Sequence, residues 1–135
     1  MKRLFSIRYT DNGIAFAAFV LRLALGGLMI PHGYAKLTTF ASKSSTFMDP
    51  FHIGNTTSMA LVIFAEFFCA VFIVLGLFTR LACIPLIIAM SVAVFIAHKG
   101  LFFSEGEMAT LYLMGFIALL FMGPGKFSLD RMIGR

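Results

Sequence analysis

The chain has 135 residues, 60% hydrophobic and only 13% charged, with 17 Phe and no Trp. Soluble domains are usually about 45–50% apolar with about 25% charge, so this composition excludes a water-soluble enzyme, and within these residues the apolar stretches leave no room for a soluble catalytic domain. The net charge of +5 is not the footprint of a nucleic-acid binder, because its basic residues gather at the ends of apolar spans, where they act as a topology signal.

Lys2, Arg3 and Arg8 precede the first apolar stretch. That run starts late, is long, and lacks a small-residue cleavage site, so it reads as a retained span rather than a signal peptide. Asp11 offers a cap, and the span is expected over roughly residues 14–34, with Arg22 inside it and Pro31 kinking or ending it near the outer surface. Leu37, Phe40, Ala41, Phe47, Met48 and Phe51 follow at near-helical spacing. They predict an amphipathic segment lying on the outer surface or dipping back into it.

A second span is expected over 58–78, interrupted by Glu66 and ending at Gly76-Leu77-Phe78. The short turn through Thr79-Arg80 makes an antiparallel hairpin with a third span over 81–98, in which Pro85 sits near enough to the start to be tolerated. His98-Lys99-Gly100 reads as a cationic helix end before a glycine cap. Ser104 and Glu107 fit a capping box opening a fourth span over 107–123, which stops at Gly123-Pro124-Gly125. The fold class is therefore an all-α membrane protein: a single domain forming a four-transmembrane-helix bundle, with an amphipathic outer segment between helices 1 and 2. Seven basic residues fall on the side of the termini and three on the other (Lys36, Lys43 and Lys99). The positive-inside rule then puts both termini in the cytoplasm.

Arg22 and Glu66 carry the chemistry most open to argument. A charge at bilayer depth costs at least ~3 kcal/mol on insertion scales and needs a partner or a purpose. Counting helix rise, their backbones differ in depth by about 6 Å within a ~30 Å core, within reach of an arginine side chain. The two are expected to form an ion pair, either structural or polarising a ligand. Arg22, Gly26, Met29, Gly33 and Lys36 share one helical face, whose glycines allow close helix approach. By depth, Glu66, His32, His98 and Tyr112 collect in the outer half and form a candidate ligand-binding set. Cys69 and Cys83 sit about 10 Å apart in depth and read as two buried thiols rather than a disulfide. No HExxH, CxxCH, Walker or GxGxxG pattern occurs, so there is no metal or haem signal.

Arg22-Leu23-Ala24-Leu25-Gly26 with His32-Gly33-Tyr34-Ala35-Lys36-Leu37 resembles the first-helix signature of the DoxX family. Ala65-Glu66 with Leu75-Gly76-Leu77-Phe78-Thr79-Arg80 is similar to its second-helix signature, and Gly123-Pro124-Gly125-Lys126-Phe127-Ser128-Leu129-Asp130 to its C-terminal GPG-x-x-SLD motif. The matching positions include Gly33, Lys36, Gly76, Arg80, Gly123, Pro124, Ser128 and Asp130. The resemblance implies a small four-helix protein of the bacterial inner membrane. The family takes its name from a quinone-linked oxidoreductase subunit, and some relatives are linked to oxidative-stress or thiol-redox complexes. The expected function is accordingly an accessory subunit of a redox-associated membrane complex, with no catalytic residue of its own and a quinone-like ligand. The alternatives are a scaffold without ligand chemistry, or a small-solute carrier acting as an oligomer. The expected partners are the lipid bilayer and other membrane proteins or further copies of the chain.

Overall fold

In the computed structural model, which describes residues 2–101 and 103–134, Thr10 rather than Asp11 caps the first long helix. Its hydroxyl accepts from the Gly13 amide at 3.0 Å, satisfying one of the donors that a helix start leaves unpaired. Helix α1 (Asp11–Thr38) then runs through Pro31, so of the two outcomes expected there, a kink or an end, the helix does not end. Proline removes a single backbone bond, whereas unwinding the helix in lipid would strand several more groups, so continuation is favoured. The buried stripe Ala15, Ala18, Arg22, Gly26, Met29 and Gly33 recurs every three or four residues, as a helix with one inward face requires.

The connector holds α2 (Phe40–Lys43), a 3₁₀ turn (Ser44–Thr46) and an irregular segment. Asp49 organises that segment: its carboxylate accepts from the Ile53 and Gly54 amides and from the Ser58 hydroxyl, each at 2.9 Å. Burial alone would raise the Asp49 pKa, but these hydrogen bonds and the nearby His52 outweigh it and hold the carboxyl below its ordinary value of 3.8.

The second span, Asn55–Leu75, is not one regular helix. It comprises α3 (Asn55–Ile63), a π-helical turn (Phe64–Cys69) and α4 (Ala70–Leu75), ending at Gly76 in the left-handed region with φ 72°. The third, Thr79–Ala97, comprises α5 (Thr79–Val92) with Pro85 inside it and a second π-helical turn (Ala93–Ala97). Helix α6 (Glu107–Met122) is the fourth apolar helix and, at 16 residues, is about 24 Å long. The expected capping box is not formed. Gly106 occupies the cap position, and Ser104 contributes only its carbonyl, accepting from the Glu107 amide at 3.3 Å. The tight turn explains this: the Gly106 amide bonds the Leu101 carbonyl at 2.8 Å, and a Cβ at Gly106 would stand 2.9 Å from that oxygen. Helix α7 (Leu129–Met132) is a single turn at the C-terminal end.

Helix α1 packs along the second span, the second span on the third, and α5 along α6. The shared core includes Met29, Cys69, Ile73, Leu86, Phe116 and Leu119. Cys69 and Cys83 are buried free thiols. Outside the core, Phe16, Leu28, Leu61, Ile88, Leu111 and Phe121 are all more than half exposed. A surface so apolar on every side is stable only in lipid. Three helices are long and apolar enough to cross a bilayer, and α6 is a shorter apolar companion. The molecule is a helical membrane bundle.

Candidate functional site

Glycine sets the geometry at Glu66. A Cβ at Gly33 would lie 2.5 Å from the Phe67 amide nitrogen and 2.6 Å from the Glu66 carbonyl carbon, so only glycine lets α1 rest directly on the π-helical turn. Gly26, two turns earlier, rests in the same way on the Ala70 carbonyl, where a Cβ would stand 2.8 Å from the oxygen. One turn beyond Gly33, Lys36 is carried to Glu66: its Nζ donates to Oε1 at 3.1 Å and lies 2.8 Å from Oε2. The ammonium thus faces both carboxylate oxygens, with Oε2 the nearer.

The partner of Glu66 is thus Lys36, and the expected Arg22–Glu66 pair is not formed. Arg22 looks the other way along the bundle axis. Its Nε and Nη2 donate to the Ile73 and Val74 carbonyls at 3.0 and 3.1 Å, and its Nη1 donates to Pro124 and Phe127 at 2.9 and 2.7 Å. A planar guanidinium with five donors fits four carbonyls converging from two segments, which an ammonium does not. Two of those oxygens end the second span, where a cation also complements the helix dipole.

The same end explains most of the remaining motif residues. The Asp130 carboxylate accepts from the Phe78 and Thr79 amides at 2.8 and 3.1 Å, placing an anion at the start of the third span. The Asp130 amide in turn bonds the Gly76 carbonyl at 2.9 Å. Ser128 donates to the Gly125 carbonyl at 2.7 Å and caps α7. A Cβ at Gly123, whose φ is 81°, would stand 3.0 Å from the Arg80 guanidinium. Together these residues form a clasp that ties the C-terminal loop to the first hairpin, and Pro124 contributes its carbonyl to it.

A cavity of about 490 Å³ opens between the second and third spans, at the end of the bundle away from the termini. Phe47, Met48, Phe51 and Ile53 of the connector cover its outer end, and Leu61, Phe64 and Ile88, all about half exposed, border its lateral side. Glu66, Lys36 and Ser58 supply polar side chains to a wall that is otherwise almost wholly apolar. Both π-helical turns and Pro85 also face this space. Each irregularity widens or unpairs a helix locally, and π-turns recur at functional sites.

Of the candidate ligand-binding residues, Glu66 lines the cavity, while His32, His98, Tyr112 and Arg22 do not. His32 and Tyr112 meet edge to face at 6.0 Å where α1 crosses α6. His98 ends the third span beside Gly106, where a Cβ would stand 3.3 Å from its own. Shared depth did not mean a shared face. Asp49 and Ser58 were not anticipated from the sequence; the available signal was an acidic residue and a hydroxyl flanking Gly54, the usual composition of a side-chain-closed turn. Among the described residues no group of three or more His, Cys, Asp or Glu is placed to hold a metal ion.

The DoxX family model matches residues 17–99. An uncharacterized protein of Haemophilus influenzae is 36% identical over 122 residues, covering 85% of this chain and 88% of its own length. An uncharacterized membrane protein of Mycobacterium tuberculosis is 33% identical over 84 residues, covering 52% of each chain. No solved structure matches significantly.

Proposed function

This chain belongs to the DoxX family, and on that footing we propose that it is a membrane subunit that takes one amphiphilic molecule from the bilayer into the cavity beside Glu66. The observation that carries this reading is the cavity itself. Its volume of about 490 Å³ falls within the roughly 300–1,000 Å³ of small-molecule sites, which are mostly apolar with a few fixed polar groups. A head would lie against Lys36, Glu66 and Ser58, a tail along Phe64, Ile88 and Met90, and entry would be sideways from lipid. A quinone-type molecule has that size and polarity, which agrees with a role as accessory subunit of a redox-associated complex. The inner membrane is the proposed location, with both termini cytoplasmic. The N-terminal end and the C-terminal loop meet at one end of the bundle, where Lys126 donates to Asn12, and the basic count of the sequence favours that end as the cytoplasmic one.

A second reading, a scaffold without a ligand, is favoured by the Arg22–Asp130 clasp, which is structural and accounts for most of the motif. Native mass spectrometry from lipid nanodiscs separates the two. A retained apolar molecule, lost on replacing Ala93 with Phe to fill the cavity, supports the binding subunit. A bare protein that stays bare when a quinone is supplied overturns it.

A further inference from the structure

We propose that the end of the bundle nearest the termini carries a second binding site, an interfacial pocket at Arg80 that holds the phosphate of an anionic phospholipid. It is separate from the cavity beside Glu66 and stands whether or not that cavity takes a ligand.

Arg80 follows Thr79 at the start of the third span, Thr79–Ala97, and so at the edge of the membrane. Its guanidinium has five N–H donors, of which one reaches the Phe121 carbonyl at the long distance of 3.4 Å. Among the described residues no carboxylate pairs with it. Asp130 lines the same pocket, but its two oxygens are taken by the Phe78 and Thr79 amides. An arginine at a membrane boundary ordinarily swings on its long stem to reach the headgroups. Arg80 lies instead against Gly123, where an added Cβ would meet Nη2, Nε and Cζ at 3.0, 3.1 and 3.2 Å. Such even distances lay the guanidinium flat over that glycine. The cation is thereby held in place, and a site ordered in advance binds at lower entropic cost.

The space beside it suits a phosphate ester. A pocket of about 200 Å³ is lined by Phe78, Thr79, Arg80, Leu81, Pro124 and Asp130. A guanidinium offers paired donors that match two oxygens of one phosphate. Next to it, Leu81 and Phe121 are 66% and 79% exposed. Leu81, Ile84 and Ile88 share one outward face of the third span, so acyl chains hanging from a phosphate at Arg80 would run down that face toward mid-membrane. A free phosphate would use the guanidinium and leave the apolar face idle. The neighbours set the sign of the rest of the head. Lys126 and Arg131 lie on the C-terminal segment that the clasp holds at this end, and their field repels a choline and tolerates a glycerol.

The full chain is placed in nanodiscs with equal mole fractions of phosphatidylglycerol and phosphatidylcholine bearing the same acyl chains, and the lipids it retains on gentle release are counted by native mass spectrometry. We expect the wild type to retain phosphatidylglycerol over phosphatidylcholine by at least about fivefold, and Arg80→Gln by less than about twofold. Arg8→Gln, which removes a cation on the same side of the membrane but outside the pocket, should keep the wild-type preference. Should Arg80→Gln fail to fold, Leu81→Glu carries the test: a carboxylate suits the first turn of a helix, and there it takes the guanidinium from the phosphate. Equal retention of the two lipids by the wild type overturns the site, and so does a preference that persists in the folded Arg80 or Leu81 variant. Millimolar inorganic phosphate should leave the retained lipid in place. A phosphate adduct that replaces it assigns the pocket to a free anion and overturns the lipid.

Discussion

Removing Lys36 should cost far more than removing Glu66, and the two losses should not add. In Lys36→Met the Glu66 carboxylate, only 6% exposed, is left without its cation. Breaking a buried pair from one side costs about 3–5 kcal/mol. The Lys36 side chain is 31% exposed, so the pair is partly solvent-screened and we expect about 2–3 kcal/mol. In Glu66→Gln the ammonium that remains lies near the end of α1 and can turn outward to the headgroups on its long stem. That variant should lose only about 1 kcal/mol by the same reasoning. The double variant removes both charges and should be no worse than Lys36→Met alone, giving a coupling of about 1–2 kcal/mol. Reversible unfolding by SDS titration in mixed micelles measures all four proteins. The cycle of Arg22→Gln with Glu66→Gln is the companion measurement, and it should be additive within about 0.5 kcal/mol, because the two residues share no partner. Strong coupling in the second cycle with additivity in the first would refute the pairing described here.

Arg22→Lys should destabilise nearly as much as Arg22→Gln, by about 3 kcal/mol in the same titration, since an ammonium cannot reach carbonyls on two segments; full rescue by lysine would show that charge alone matters. Gly33→Ala should cost about 1–3 kcal/mol by forcing α1 off the π-helical turn, whereas Gly27→Ala, with open space around its Cβ, should be neutral or slightly stabilising. The Asp49 carboxyl is held below its ordinary value of 3.8, so its contribution is present above that pH and is lost as pH falls through the lower folded value. Hydrogen exchange at Ile53 and Gly54, corrected for intrinsic rate, should therefore stay constant from about pH 5 to 8 and rise only below the ordinary carboxylate range, while Asp49→Asn should raise it across pH 5 to 8 and abolish the rise at low pH. A cysteine at Ser44 should react with an impermeant reagent in intact cells, and labelling only after lysis would reverse the proposed orientation.

The spans were legible because an apolar run of sufficient length has few other solutions. Their interiors were not. Nothing in Phe64-Ala65-Glu66-Phe67-Phe68-Cys69 marks a π-turn, nor the backbone contact that Gly33 of α1 makes with it. The inward face of α1 could be read from periodicity, and it already held both Arg22 and Lys36. The pairing went astray because depth along the membrane normal fixes one coordinate of three. By that measure Arg22 and Glu66 were within reach, yet Lys36 had the glycine contact beneath it and the shorter path. The acceptors of Arg22 were backbone carbonyls, which carry no residue signature. Ser104 and Glu107 had the right spacing for a capping box, but the turn beginning at Leu101 admits only glycine at the cap.

The clasp also sets the order in which this protein can be finished. Arg22 enters the membrane early, but two of its four acceptors lie 102 and 105 residues further along the chain. At about 5–20 residues per second, a nascent first helix waits roughly 5–20 s for its last two acceptors, the Ile73 and Val74 carbonyls arriving about halfway through. The clasp closes only when the Pro124–Phe127 loop docks beneath the first hairpin. A ribosome that stalls before that loop leaves four apolar helices around an arginine short of two carbonyls, a species ready-made for recognition by membrane quality control.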